Sequence, residues 1–463
     1  MTDHPALPFD VWAWGLAWQQ TWAAGQWPAV ARQLREQRLA TLLECASRDS
    51  PFYRARAHGT QLGDFAPVDK ATLMQHFDDW ATDRRITRVA AEAFLADPNG
   101  IGDAWLDQYQ LWTSSGTSGV PGWFVQDAQS LAAYDAIDAL RLRGAGPFQG
   151  PLGAWGLGQR FAFVGAGGGH FAGVVSMKRL QRSVPPLLRP EIRILPVQQP
   201  LRAMADELQA LQPTVLITYP SCAAALALLQ RSAALQLRLQ ELWVGGEQLS
   251  PGQRRQIEAA FGCTVRNSYG ASECFSIAWE CAERRLHLND DWLILEAVDA
   301  QMRPVPAGTM SQAALLTNLA NATQPLIRYR LDDRIRYLPT PCACGSHFRA
   351  IEVHGRSADT LTLRDARGGP VTILPLALET AIEEAAQVTQ FQIIGRGDGG
   401  LELRFERGVP DARAAFEGCH AAIDSFLREH GVAPTRVHFS RAGPLRGGVS
   451  GKLRRVISAP ARS

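Results

Sequence analysis

The stretch from Thr214 to Ser268 constrains the fold more than any other part of the chain. An apolar strand candidate at Thr214 to Thr218 precedes a helix that Ser221 caps and that runs to about Leu235. A second strand follows at Leu239 to Val244, and then a helix opened by Ser250-Pro251 and closed by Gly262. Serine before a proline is an N-cap followed by a residue already set for the first helical position. Thr264 to Ser268 makes a third strand. Strand, helix, strand, helix, strand at this spacing predicts an α/β fold with mostly parallel sheets and covering helices. The long uncharged stretch Leu211 to Gln230 is broken by Pro213 and Pro220, so it reads as strand, turn and helix rather than a membrane span.

Upstream lies the run Thr113-Ser114-Ser115-Gly116-Thr117-Ser118-Gly119, with a strand-like lead-in at Tyr109 to Trp112. Hydroxyls and glycines with nothing bulky between them let backbone N–H groups approach an anion, and a phosphate is the natural guest. The spacing is not that of the common Gly-x-x-x-x-Gly-Lys-Ser/Thr nucleotide loop, so a different phosphate-handling arrangement is implied.

At 463 residues the chain exceeds one ordinary domain, and length alone suggests three units of ~150 residues. Trp27 to Ser47 has helical spacing ended by Pro51-Phe52-Tyr53, and Ser130 to Leu142 reads as an amphipathic helix. From Leu286 to Leu338 the pattern turns to short strand-like runs, such as Trp292 to Val298 and Leu326 to Tyr329, which predicts a β-rich subdomain. After Gly355 a compact α+β unit is expected, with helices at Pro375 to Ala386 and Pro410 to Glu429. Its strands are Val388 to Ile394, Leu401 to Phe405 and Thr435 to Ser440, with a hairpin turn at Gly395 to Gly400.

A net charge of +2 points to neither nucleic acid nor an anionic membrane. No basic segment followed by an apolar one opens the chain, so no secretory signal is visible. Five of the eight cysteines fall between Cys263 and Cys344, a clustering that suits a metal site in a reducing compartment better than a disulfide framework. A cytoplasmic protein is expected.

Four further motifs follow the hydroxyl–glycine run. Val244-Gly245-Gly246-Glu247 ends a strand, where a flat ring can lie against exposed backbone. Tyr269-Gly270-Ala271-Ser272-Glu273 offers an aromatic face and then a carboxylate, suited to an adenine and a Mg²⁺. Arg328 to Asp333 ends on a carboxylate placed to grip a ribose diol. Gly451-Lys452-Leu453-Arg454-Arg455 follows a glycine-rich segment near the end of the chain. Each motif alone has an ordinary reading as a turn, a core tyrosine, a surface acid or a solvated basic tail. Their order and intervals together do not.

The set resembles the adenylate-forming (acyl/aryl-CoA synthetase) superfamily, and within it the phenylacetate–CoA ligase branch. Ser47 to Arg54 is similar to the branch's N-terminal signature, Leu111 to Pro121 to its phosphate loop, and Gly355-Arg356-Ser357-Ala358-Asp359 to the entrance of its C-terminal domain. The resemblance implies a large N-terminal domain over 1–355 and a small mobile α+β domain over 356–463 that carries the catalytic lysine, Lys452. It implies ATP contacts from Ser114 to Gly119, Gly245, Gly246, Glu247, Asn267, Ser268, Tyr269, Gly270, Asp333 and Arg356, with Mg²⁺ on Glu273. The acid pocket is expected near Gly168, Gly169, His170, Phe171, Tyr219, Ser221 and Ala271, with His170 contacting the carboxylate or gating the pocket. Three departures stand out: Val120 where lysine is common, Ala358 where an acid is usual, and no glycine-asparagine pattern between Arg364 and Val371.

The implied reaction joins an aromatic carboxylic acid to AMP and passes the acyl group to coenzyme A, with Arg446, Arg454 and Arg455 available to the thiol's phosphates. The alternatives are transfer to a carrier-protein thiol or an amine, or a catalytically silent nucleotide-binding protein. A homodimer is compatible with either. Cys281, His287, Cys342 and Cys344 have the composition of a tetrahedral Cys₃His set or of small buried apolar residues. A similar arrangement in some members of the branch implies a structural zinc, with Cys274 and His347 as substitute ligands.

Overall fold

The structure, a computed structural model, describes residues 10–114, 121–142, 159–167, 169–183, 190–197, 199–356, 361–373, 375–386, 388, 390–406, 409, 411–447 and 452–458. A nine-stranded mixed sheet organises the larger part of the chain. Five neighbouring strands run parallel, in spatial order Thr264–Tyr269, Glu241–Val244, Val215–Thr218, Arg160–Gly165 and Glu191–Pro196. Beyond Thr264–Tyr269 the sheet continues antiparallel through Ala278–Glu280, Leu286–Leu288, Ala350–Arg356 and Asp333–Tyr337. The expected β-rich segment therefore does not stand wholly apart: part of it extends the main sheet, and Leu293–Val298, Ala313–Asn318 and Tyr329–Leu331 form a three-stranded sheet beside it.

The local signals explain the elements. Ser250 forms a capping box with Gln253 at the head of helix Pro251–Phe261, and Gly262 closes that helix in the left-handed region at φ 62°. The preceding helix spans Pro220–Arg231, and its N-cap is Tyr219 rather than Ser221, because Pro220 takes the first helical position and places Ser221 inside the first turn. A strand was expected at Leu326 to Tyr329 but lies at Tyr329–Leu331. Arg328 sits at φ 49°, and the buried Tyr53 hydroxyl donates to the Pro325 carbonyl and accepts from Ile327 N–H, which holds 325–328 as an anchored loop.

The apolar core that joins the three-stranded sheet to the antiparallel part of the large one draws on Phe52, Tyr53, Phe77, Trp80, Trp112 and Ile327, so the Ser50-Pro51-Phe52-Tyr53 signature is a core element. Residues 361–457 form a separate α+β layer of helices Pro375–Ala386 and Ala412–Glu429 on the four-stranded sheet Val437–Ser440, Leu401–Phe405, Phe391–Gly395 and Val456–Ile457. Among the described residues its apolar core, which includes Phe391, Ile393, Leu403 and Ile423, contains no buried side chain from before Leu361. No described helix is long and apolar enough to cross a membrane.

Candidate active site

In a sheet of parallel strands, ligands sit beyond the carboxyl ends, where backbone groups and loops converge. Each motif segment here leaves such an end. Gly245-Gly246-Glu247 follows Glu241–Val244, Gly270 to Glu273 follow Thr264–Tyr269, Tyr219 follows Val215–Thr218, and the Gly167–His170 segment follows Arg160–Gly165. Strand Gln110–Thr113, which leads into the hydroxyl–glycine run, ties two of them together. Trp112 Nε1–H donates to the Ser272 carbonyl at 2.8 Å, and Thr113 N–H donates to the His170 carbonyl at 2.7 Å. Ser115, Gly116, Thr117, Ser118, Gly119, Val120, Gly168, Ala358 and Asp359 lie outside the described residues.

A cavity of about 750 Å³ opens at this face, and Ser114, Gly246, Glu247, Asn267, Ser268 and the whole Tyr269–Glu273 segment line it, together with Asp333. Two glycines are required by geometry. Gly246 adopts φ 75°, and a Cβ on Gly270 would meet the Phe275 carbonyl oxygen at 2.1 Å. Tyr269 O–H donates to Asp333 Oδ2 at 2.8 Å, so the aromatic face and the expected diol-binding carboxylate are locked together. Glu273 is buried and accepts from the Tyr329 hydroxyl at 2.8 Å on Oε1. Burial and the adjacent carboxylate push the Tyr329 phenol well above its ordinary pKa, so it remains a donor to Glu273.

Other expected site residues fall elsewhere. His170 is buried against Phe94, with ring centroids 5.1 Å apart, and is not among the residues lining the cavity. Its Nε2 lies 3.0 Å from the Asp97 carbonyl, which only accepts, so Nε2 carries the proton. Burial lowers its pKa and keeps the imidazole neutral. Tyr219 accepts from Ala166 N–H through its hydroxyl, and burial pushes its pKa up to about 12. Phe171 is half-buried against the core, bridging to Thr113, and Gly169 accepts from Phe171 N–H. Ala271 lines the cavity and exchanges backbone hydrogen bonds with Cys274.

The tail segment reaches the same cavity. Lys452–Leu453 pairs antiparallel with Arg446–Gly447, and Leu453 N–H donates to Glu247 Oε1 at 2.7 Å. Glu247 is therefore occupied at both carboxylate oxygens, since Oε2 accepts from Ser221 N–H at 3.1 Å. Burial raises its pKa. Arg455, expected to be free for a phosphate, is instead buried between two acids, with Nη1 3.0 Å from Glu379 and 2.7 Å from Glu383. Arg446 pairs with Glu406, and Arg454 lines the cavity. Arg356 closes strand Ala350–Arg356 opposite Asp333. Lys70, at the start of helix Lys70–Gln75, also lines the cavity, and nothing in the sequence set it apart.

A second constellation sits at the antiparallel half of the sheet, with His287 in strand Leu286–Leu288 and Cys281 directly after Ala278–Glu280. Cys281, His287, Cys342 and Cys344 present ligand atoms that all lie within 4.8 Å of one another. Cys281 Sγ and Cys342 Sγ are 3.7 Å apart, and Cys344 Sγ is 3.4 Å from His287 Nε2. Tetrahedral bonds of about 2.3 Å to sulfur put ligand atoms about 3.8 Å apart, so the set fits a four-coordinate ion. His287 Nδ1–H donates to the Phe348 carbonyl at 2.7 Å, leaving Nε2 as the ligating lone pair. Cys274 is buried in the main core and His347 stacks on Phe348, so neither belongs to the set.

Residues 191–310 match the family described as AMP-binding enzyme. The fold matches a 2-hydroxyisobutyryl-CoA ligase bound to an acyl-AMP, with a TM-score of 0.65, 21% identity, 91% of this chain and 88% of that one covered. It also matches a benzoate CoA ligase from Burkholderia xenovorans, with a TM-score of 0.52, 17% identity, and 74% and 67% of the two chains covered.

Among curated proteins, a phenylacetate-coenzyme A ligase of Thermus thermophilus is 30% identical over 44% of this chain and 47% of its own. That of Escherichia coli K12 is 27% identical over 62% of this chain and 64% of its own. The matches thus span about half to two thirds of these relatives' lengths. The family match and the curated relatives support the adenylate-forming superfamily, in its phenylacetate–CoA ligase-like branch.

Proposed function

We propose that this chain activates an aromatic carboxylic acid with ATP to an acyl-AMP and then transfers the acyl group to coenzyme A. The observation that carries the reading is the seating of the Lys452–Leu453 strand on Glu247, at the rim of the cavity that Tyr269, Glu273 and Asp333 line. A carboxylate oxygen attacks the α-phosphorus, the bond to the bridging oxygen breaks, and pyrophosphate departs with the electron pair. Two anions must meet, so positioning and charge neutralisation are the main tasks. Ser114 and the hydroxyl–glycine run hold the terminal phosphates, Tyr269 packs against the base, and Asp333 takes the ribose hydroxyls. Glu273, held on one oxygen by Tyr329, suits Mg²⁺, which supplies charge compensation on the triphosphate when bound. Lys452, a compact charge on a flexible stem, draws the acid and the α-phosphate together.

Residues 1–355 serve as the nucleotide- and acid-binding domain and 356–463 as the mobile domain, a division supported by the separate apolar core after Leu361. Rotation of the second domain withdraws Lys452 and opens a path for the thiol. The acid lies near Tyr219, Phe171 and Ala271, with neutral His170 buried beside Phe171 and supporting the segment without lining the cavity. The curated relatives' names support an arylacetic acid, and the glycine-rich approach at Gly167 and Gly169 supports a flat ring. The Cys281–His287–Cys342–Cys344 set holds a structural zinc that pins the turn after Asp333–Tyr337 to the antiparallel half of the sheet.

Pyrophosphate release, screened over aromatic acids with and without coenzyme A, tests the reading. Acid-dependent release with thioester formed only when coenzyme A is present is the expected result. No release with any acid overturns it, and release without thioester overturns the second half.

A further inference from the structure

Glu247 belongs to a motif otherwise read as a nucleotide contact, yet both of its carboxylate oxygens are spent on backbone N–H groups. Oε2 accepts from Ser221, in the first turn of helix Pro220–Arg231, and Oε1 accepts from Leu453, next in sequence to Lys452. One end of the carboxylate is thus fixed to the main sheet's helix layer and the other to the tail. We propose that Glu247 is the positioning residue that sets Lys452 for the adenylation step, acting as a brace between the fixed body and the lysine strand. The inference rests on the proposed function for its catalytic consequence but not for its structural content.

The tail's other contacts show why this brace matters. Gln392, fully buried, grips the base of the lysine hairpin from its own unit: its amide N–H donates to the Leu445 and Arg454 carbonyls at 2.8 and 2.7 Å, and its oxygen accepts from Leu445 N–H at 2.7 Å. Those bonds travel with the 361–457 unit and say nothing about where it is seated. Among the described residues, two sets of hydrogen bonds tie it to the main body at this place. Leu453 to Glu247 is one. The other is Glu383, which accepts from the Ser250 hydroxyl at 2.6 and 2.5 Å and from Gly252 N–H at 3.1 Å, at the capped head of helix Pro251–Phe261. Glu383 in turn shares Arg455 with Glu379, and Arg455 is two residues past Leu453.

Glu383 and Arg455 therefore seat the unit, while Glu247 fixes the residue beside the lysine. A charge-assisted bond to a buried carboxylate is stronger than a neutral one, and the geometric tolerance at a reacting centre is narrow, so losing this bond costs rate rather than fold.

The experiment compares wild type, Glu247→Ala, Leu453→Pro and Lys452→Ala in the full chain. Leu453→Pro removes the donor from the other side and leaves Glu247 intact, which guards against a variant that fails for an unrelated reason. Hydrogen–deuterium exchange of the peptide containing Leu453 is read together with acid-dependent pyrophosphate release and with thioester formation from preformed acyl-AMP.

The expected result is faster exchange in Glu247→Ala, which removes both acceptors, and in the neighbours of Leu453→Pro, with release reduced roughly ten- to a hundredfold and thioester formation within about twofold of wild type. Lys452→Ala keeps the protected amide and loses release. Unchanged exchange in Glu247→Ala, or equal loss of both half-reactions in it, overturns the brace. If wild type releases no pyrophosphate with any acid, the proposed function fails while the exchange comparison still decides the contact.

Discussion

The Tyr269 phenol donates to the Asp333 carboxylate across 2.8 Å, joining the end of a parallel strand to the start of the sheet's antiparallel edge strand. The bond orients the ring and the acid at one rim of the cavity, so two residues 64 positions apart act as a unit. Tyr269→Phe keeps the ring and removes the donor. The apparent KM for ATP should rise at least about tenfold with kcat nearly unchanged, corresponding to the loss of one neutral-to-charged hydrogen bond. An unchanged KM would separate Asp333 from nucleotide binding.

Lys452→Ala should lower acid-dependent pyrophosphate release by at least roughly a thousandfold, because the proposed reaction calls on its cation to compensate the charge that develops. ATP affinity, read by fluorescence or calorimetry, should stay within a few-fold of wild type. Equal loss of both would make Lys452 a binding residue instead.

The Cys₃His set predicts about one zinc per chain by elemental analysis. Cys342→Ser should lose the metal and lower the thermal midpoint by roughly 5 °C or more, since Cys342 is buried and metal binding is coupled to folding. A metal-free wild type of unchanged midpoint would reduce the set to packed thiols.

Glu379 is fully buried beside Arg455, with Glu383 and Glu247 as like-charged neighbours, and burial pushes its pKa up to about 7. In the unfolded chain an ordinary glutamate titrates at about 4.3. A raised folded-state pKa means that the stabilisation is complete below the unfolded value and is lost as pH rises through about 7. The thermal midpoint of wild type should therefore fall between pH 6 and pH 8 more than that of Glu379→Gln. Parallel pH profiles in the two proteins would show that Glu379 does not titrate there.

Local chemistry made much of the architecture legible. The Ser250-Pro251 cap, the Gly262 stop and the helix Pro375–Ala386 stand where residue pattern put them, because caps, prolines and amphipathic spacing act within a few residues. Two local readings shifted for reasons outside the segment. Ser221 is an intrahelical residue whose N–H meets Glu247, and the run at Leu326 is a loop held by the distant Tyr53 hydroxyl and by Arg328, whose guanidinium pairs with Glu296. Neither partner is recoverable from neighbouring residues.

The order of the glycine, tyrosine and acid motifs, and the cysteine–histidine composition, were determined by the sequence itself, since each is a statement about residue type at a given interval. That the antiparallel strands continue the parallel sheet, that Glu247 meets Leu453, and that Arg455 lies buried between Glu379 and Glu383 were decided only by the tertiary structure. Such contacts depend on which surfaces are desolvated together, and burial is a property of the assembled layers rather than of any stretch of chain.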